Sequence, residues 1–249
     1  MISPNGIQAI LFDLDGTLRD NEPASFPVFL DYAERLGAEA SPGARWHTTR
    51  WTYYYWAQSP ELLDDSRTFG GHNDAFWTNY AARCLQVLGD SPENAWQKAP
   101  ELHRFMKEEH QPQDRIPQDV PETLSTLNQA GFRLGVISNR DEPMDGYLEK
   151  IGLLPYLDLS LAAGEVGLWK PDARIFEHGV QRLGCFPAET IYVGDNYYAD
   201  ILGAQQAGLK PVLVDAGGLF PEAGCPVIRS IGELLQVLAS GYNSCLMSA

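Results

Sequence analysis

The sequence predicts an α/β fold, a doubly wound and mostly parallel sheet interrupted once by an all-helical insertion, and three observations carry that prediction. From Ile116 onward, short continuous apolar runs alternate with helical patterns, as expected for strands buried on both faces and joined by crossover helices. A run of the same kind, Ala9-Ile10-Leu11-Phe12, stands alone far upstream. Between the two lies a long stretch, from about Asn21 to about Arg115, with helical periodicity and no convincing strand.

The first run ends abruptly at two carboxylates, Asp13 and Asp15, followed by Gly16 and Thr17. Asp-Gly between apolar residues is also a hairpin signal, but the following Arg19-Asp20-Asn21-Glu22-Pro23 does not alternate as a returning strand would. A parallel strand with its ligands beyond the carboxyl end suits the pattern better. Within the insertion, Phe26, Phe29, Leu30, Ala33 and Leu36 recur at helical spacing and Gly37 closes the element. Trp51, Tyr54 and Tyr55 mark a second, aromatic-rich helix. Asn73 or Asp74 caps a third through Phe76, Tyr80, Cys84 and Leu88, and Ser91-Pro92-Glu93 opens a fourth that runs to about Lys107. The Trp and Tyr residues are read as the core of this bundle.

After Ile116-Pro117, Asp119 is expected to cap a helix ending at Gly131, and Phe132 to Ile137 form a strand stopping at Ser138-Asn139. A helix from about Met144 to Ile151 and a strand from Leu157 to Ala162 follow. Pro171-Asp172 starts a helix that Gly184 ends, and Thr190-Ile191-Tyr192-Val193 is a strand ending in Gly194-Asp195. A helix to Gly208, a strand Pro211 to Val214, the short run Pro226-Val227-Ile228 and a last helix from Ile231 to Leu238 complete the alternation. Three strands therefore deliver polar residues at their carboxyl ends: Asp13 and Asp15, Ser138 and Asn139, and Asp195. In a doubly wound sheet such ends converge, so residues distant in the chain can share one site. The insertion leaves and rejoins the chain beside that site, where it is placed to act as a lid.

The formal charge of −15, from 18 Lys+Arg against 33 Asp+Glu, argues against nucleic acid and anionic membrane surfaces as partners. An anionic substrate would have to be drawn by a bound cation or by a particular Lys or Arg. Four scattered cysteines (Cys84, Cys185, Cys225, Cys245) show no zinc or redox spacing, and the opening residues lack the regions of a signal peptide. A reduced, cytoplasmic protein, monomer or homodimer, is expected. The five histidines show no metal spacing. Arg45, His47, Arg50 and His72 are candidates for touching the non-reacting part of a substrate, with a solvated helix face as the alternative.

Four stretches carry a resemblance. They are Asp13-Leu14-Asp15-Gly16-Thr17, then Ser138-Asn139 after an apolar strand, then Lys170 in Gly167-Leu168-Trp169-Lys170-Pro171-Asp172, and last Gly194-Asp195-Asn196-Tyr197-Tyr198-Ala199-Asp200. In that order and setting they resemble the motifs of the haloacid dehalogenase superfamily, in the branch with a helical cap inserted after the first motif. The likeness covers roughly residues 7 to 20 and 116 to 238. It implies a Rossmann-like core of residues 1–20 and 116–249, with a cap domain of 21–115.

The resemblance also implies chemistry. Members that remove halide from haloacids lack an aspartate two residues after the nucleophile, whereas members that transfer phosphoryl groups have it; here it is Asp15. Asp13 would then attack phosphorus to form an aspartyl phosphate that water hydrolyses. Asp15 would protonate the leaving alcohol and later accept a proton from water, neighbouring negative charge favouring its protonated form, and Thr17 would help orient it. Magnesium would be held by the Asp13 and Asp195 carboxylates and the Asp15 carbonyl, with Asp200 behind them. Lys170 would hold the nucleophile and neutralise phosphoryl oxygens; Ser138 and Asn139 would bind phosphate, with the backbone amides of Leu14, Gly16 and Asn139 adding contacts. Glu165 belongs to a recurrent structural turn. The expected activity is magnesium-dependent hydrolysis of a small phosphorylated metabolite. The alternatives are a phosphomutase of the same superfamily, a 2-haloacid dehalogenase, and a catalytically idle binding protein on the same scaffold.

Overall fold

The computed structural model describes residues 6–242. Its strands are β1 (Ala9–Phe12), β2 (Asp20–Glu22), β3 (Gln113–Arg115), β4 (Arg133–Ser138), β5 (Leu159–Ala162), β6 (Thr190–Gly194), β7 (Lys210–Val214) and β8 (Val227–Ile228). Six of them form one sheet in the order β5-β4-β1-β6-β7-β8, every pair parallel. The register pairs Phe12 with Val136 on one side and Val193 on the other, so β1 is central and its carboxyl end lies between those of β4 and β6. The chain divides into two compact units, one of residues up to Asp20 together with those from Arg115 and one of Asn21–Asp114. The chain passes between them through β2 and β3, which pair with each other.

The continuous apolar character of β1 follows from cover on both faces. Ile10 and Phe12 face a core shared with Val136, Leu124, Leu127, Leu148 and Leu234. Ala9 and Leu11 face the other side, against Ile175, Phe176, Val180 and Leu183. In the first group Val136 is on β4 and the leucines belong to α6 (Asp119–Gln129), α7 (Asp145–Lys150) and α11 (Leu234–Ser240); the second group belongs to α9 (Ala173–Leu183). Each such Leu, Ile or Phe contributes about 1.5–3 kcal/mol by leaving water, which fixes the strand whose end carries Asp13. Asp172 caps α9 by accepting from the Arg174 amide at 3.0 Å, and Gly184 closes it in the left-handed conformation. Asp119 behaves differently from expectation. It is the first residue of α6, and its carboxylate accepts instead from the Gly232 amide at 2.7 Å, tying α6 to the turn before α11.

The second unit holds five helices: α1 (Ser25–Arg35), α2 (Pro42–Trp56), α3 (Pro60–Phe69), α4 (Asp74–Leu88) and α5 (Pro92–Glu108). Three begin identically, with Ser41, Ser59 and Ser91 each accepting from the amide three residues on and proline next in line. The signature at Ser91 marks a helix expected from the sequence, whereas α3, which opens on the same signature at Ser59, is a helix beyond those expected. Asn73 caps α4 through the amides of Ala75 and Phe76. Tyr55 and Phe76 are fully buried, with Trp51, Trp56 and Tyr80 packed against them, so these aromatic residues form core, whereas Trp46, Trp77 and Trp96 are exposed, against the expectation. Tyr55 also donates to Asp65 at 2.9 Å, and Arg83 pairs with the same carboxylate. Among the described residues no helix is long and apolar enough to cross a membrane. Cys84, Cys185 and Cys225 are free and buried, while Cys245 lies outside the described residues.

Candidate active site

Asp13 continues β1 beyond its last ladder residue, its amide donating to the Val193 carbonyl at 2.8 Å. The chain then turns sharply: the amides of Leu18 and Arg19 both reach the Leu14 carbonyl at 3.0 Å, and the Gly16 amide donates to the Arg19 carbonyl at 2.7 Å. That last bond removes the Gly16 amide from the expected anion contacts. Gly16 has φ +92°, and a Cβ there would collide with the Asp195 carboxylate, so conformation and space both require glycine. Thr17 is buried and donates to Asp195 Oδ1 at 3.4 Å; its contact is with Asp195, where Asp15 was expected.

Lys170 is the centre of the site's electrostatics. It is 2% exposed, and its three N–H groups meet three acceptors: Asp13 Oδ1 at 2.5 Å, Asp200 Oδ1 at 2.6 Å and the Tyr192 hydroxyl at 3.0 Å. A hydrogen bond from Lys170 to a phosphoryl oxygen therefore requires one of these to be given up, whereas its charge acts regardless. Burial works against that charge, but Asp13, Asp200 and Tyr192 hold the ammonium well above the ordinary lysine value. Burial likewise pushes Asp13 up to about 7, with Lys170 opposing and Asp200 reinforcing the shift.

Tyr192, on β6, reads in the sequence as one more apolar strand residue. Its hydroxyl lies 3.1 Å from the Ile137 carbonyl, to which it donates while accepting from Lys170. Asn139 completes the support of Lys170 from the far side. Its side-chain carbonyl accepts from the Lys170 amide at 2.7 Å and its side-chain amide donates to the Lys170 carbonyl at 2.9 Å. The Asn139 side chain is thus committed to placing Lys170, so of the two routes expected for its phosphate contact, side chain or backbone amide, the side chain is already engaged. Ser138 is the last residue of β4 and is buried beside these groups' strand ends. Glu165 accepts from the Ala162 amide at 2.8 Å and closes the turn at the end of β5, a structural part as expected.

After β6 the chain makes a single π-helical turn, Tyr197–Ile201, before α10 (Leu202–Gln206). Asn196 caps it, accepting from the Tyr198 and Ala199 amides at 3.0 Å. The wider turn brings fully buried Asp200 back over the strand end, where Oδ2 accepts from the Asn196 amide at 2.9 Å while Oδ1 holds Lys170. A Cβ on Gly194 would occupy the space of the Asp200 carboxylate. Both Asp200 oxygens are thus engaged within the protein.

Asp13, Asp195 and Asp200 offer carboxylate oxygens within 4.8 Å of one another. Three carboxylates gathered at one point, all with hard oxygen donors, are a set that fits one hard divalent cation. Asp15 is balanced separately. Arg140 grips it with two bonds, Nε to Oδ2 and Nη2 to Oδ1, both 2.8 Å, and Arg19 adds a third to Oδ1 at 3.1 Å. The groups bonded to Asp15 are thus cations, while Asp13 and Asp15 also act on each other as neighbouring carboxylates, as expected; neither arginine was singled out in the sequence.

The four candidates in the helical unit all have partners there. Arg45 pairs with Asp31 and Glu34 at 2.9 and 2.8 Å, Arg50 lies over the Trp46 ring, His47 meets Trp46 edge-on, and His72 packs on Phe76.

A family model described as haloacid dehalogenase-like hydrolase matches residues 7–208, which takes in the ends of β1, β4, β5 and β6. The chain belongs to that family. The phosphoserine phosphatase of Thermus thermophilus is 31% identical over 257 residues, covering 93% of this chain and 98% of its own length. An (S)-2-haloacid dehalogenase from Burkholderia cepacia is 27% identical, covering 96% and 98%. Among solved structures, a 2-haloacid dehalogenase from Pseudomonas syringae superposes with a TM-score of 0.53 at 28% identity, covering 94% of this chain and 98% of the other. Haloacid dehalogenase-like relatives therefore include both halide-removing and phosphate-removing enzymes, and the choice between them falls to the residues of the site.

Proposed function

We propose that this hydrolase cleaves phosphoric monoesters of small metabolites, with magnesium, through an aspartyl phosphate on Asp13. The observation that carries the reading is Asp15: a carboxylate two residues beyond the nucleophile, fixed by Arg140 and Arg19 at the same strand end. Halide removal through an aspartate needs no proton donor for its leaving group, since halide departs as a stable anion; an alkoxide leaving from phosphorus does. The dehalogenase relatives favour the second reading, and Asp15 speaks against it.

In the first step an Asp13 oxygen bonds to phosphorus as the phosphorus–oxygen ester bond breaks, and Asp15 gives its proton to the departing oxygen. In the second, Asp15 takes a proton from water as that water attacks phosphorus, releasing phosphate and restoring Asp13. Lys170 holds Asp13 in one orientation and offsets its charge. Ser138 would donate to a phosphoryl oxygen. The Asp13 and Asp195 carboxylates, with the Asp15 carbonyl, would hold magnesium, and Asp200 would support them from behind. When bound, magnesium supplies positive charge that lets an anionic ester approach a carboxylate nucleophile.

The groups gathered at the strand ends of the core address the phosphoryl end of a substrate. Choice among esters is accordingly assigned to the inserted helical unit, acting as a cap. Unbridged, buried cysteines suit the reducing cytoplasm, where we place the protein.

The protein is expected to hydrolyse p-nitrophenyl phosphate with added magnesium, to stop when a chelator is added in excess, and to resume when magnesium is restored. Undiminished turnover in chelator would remove the cation from the reading. Transfer of phosphate between carbons of a sugar phosphate, without net release, would point to the phosphomutase alternative, which shares both aspartates.

A further inference from the structure

We propose that Arg140 is the positioning residue for Asp15, fixing the plane of its carboxylate so that Oδ2 transfers the proton to and from the reacting oxygen. The inference rests on the phosphatase reading and goes beyond it, because Arg140 follows the Ser138-Asn139 pair and belongs to none of the four stretches that mark the family. An ionised carboxylate has about four lone-pair sites. Arg140 takes one on each oxygen through a planar fork, and Arg19 takes a second on Oδ1. The site that remains is on Oδ2. Arg19 alone, with one bond at 3.1 Å, leaves the carboxylate free to rotate, whereas the two bonds of Arg140 do not.

Arg140 is itself held at both ends. Its guanidinium lies 4.2 Å from the centre of the Tyr147 ring, and its carbonyl accepts from the Gly164 amide at 3.1 Å. Gly164 is where the chain comes closest to this loop: a Cβ there would occupy the place of the Asp141 carbonyl. The β5 turn and α7 thus set the arginine, and the arginine sets the acid.

The test compares two esters of similar shape, p-nitrophenyl phosphate and benzyl phosphate, under magnesium. Nitrophenolate leaves without a proton, while the benzyl alkoxide needs one, and kcat/KM reports the step in which the group departs. Arg140→Met keeps the length of the side chain and its packing on Tyr147. It is expected to lower kcat/KM for benzyl phosphate about tenfold or more beyond any loss on p-nitrophenyl phosphate, a part of the 10²–10⁴-fold that general acids supply. Arg140→Lys keeps the charge without the fork and is expected to show the same selective loss; it also carries the test should the methionine variant fail to fold. Equal losses on the two esters, no loss, or full recovery of benzyl phosphate hydrolysis in the lysine variant would overturn the assignment. If the unaltered protein cleaves neither ester, the phosphatase reading falls first and takes this inference with it.

Discussion

Asp13→Asn is expected to stay folded and to lose its phosphate ester hydrolysis by about a thousandfold or more, the scale on which removal of a covalent nucleophile acts. The asparagine amide oxygen can still accept from Lys170, so the geometry at the strand end is kept. What disappears is the attacking charge. The variant is also expected to melt at the same temperature as the parent or slightly higher. Asp13 is 6% exposed and burial drives it up to about 7, which means that its charged form is costly in the folded state. Removing that charge leaves Lys170 and Asp200 as a balanced pair at 2.6 Å. Thermal unfolding and the hydrolysis rate, measured on one preparation, check both halves. An active, stable Asp13→Asn protein would mean that another residue attacks.

Lys170→Met is expected to be the more damaging change, because it harms the fold as well as the reaction. Methionine fills the space of the lysine stem but leaves Asp13 and Asp200 facing each other without a counter-charge. Breaking a buried pair in this way costs about 3–5 kcal/mol. The pH dependence has a definite sign. A carboxyl whose folded value is raised binds its proton more tightly in the folded state, so the contribution of Asp13 to stability is greatest in acid and falls as pH rises from 3.8, the unfolded value, to about 7 in the parent. Lys170 is the principal group lowering Asp13. In its absence the fall extends to higher pH, and the cation-free variant is expected to gain melting temperature on acidification from pH 8 to pH 6, by more than the parent does. An equal response in the two proteins would show that Lys170 does not govern Asp13.

How much of this was legible in the sequence depended on whether a residue announced itself locally. Asp13, Ser138 and Asp195 each stop a continuous apolar run, and the parallel sheet that such runs predict puts the ends of β1, β4 and β6 side by side. Lys170 is an isolated lysine, conspicuous only through its Lys-Pro-Asp setting and the resemblance. Tyr192 was hidden because a buried tyrosine in a strand looks like core until its hydroxyl finds a lysine. Arg140 was hidden for a different reason: it sits in a polar turn, and its partner is 125 positions away. Asp119 shows the converse, since a helix-start aspartate is usually a cap, and only the approach of Gly232 redirects it. The helix α3 could have been found from Ser59-Pro60-Glu61, which repeats Ser91-Pro92-Glu93, but its few apolar residues gave little periodic support. Strand ends and caps are local facts, whereas side-chain pairing across the sheet depends on directions that only the folded chain defines.

Asp15, held by two arginines beside Asp13, is the residue proposed to commit this family member to phosphate rather than halide. The most direct measurement follows free phosphate and free halide side by side, giving one purified preparation p-nitrophenyl phosphate and, separately, 2-chloropropionate, each with magnesium and with chelator. Phosphate release that requires magnesium, with no halide released under either condition, is the expected result. Halide release that persists in chelator, with no phosphate formed, would contradict it.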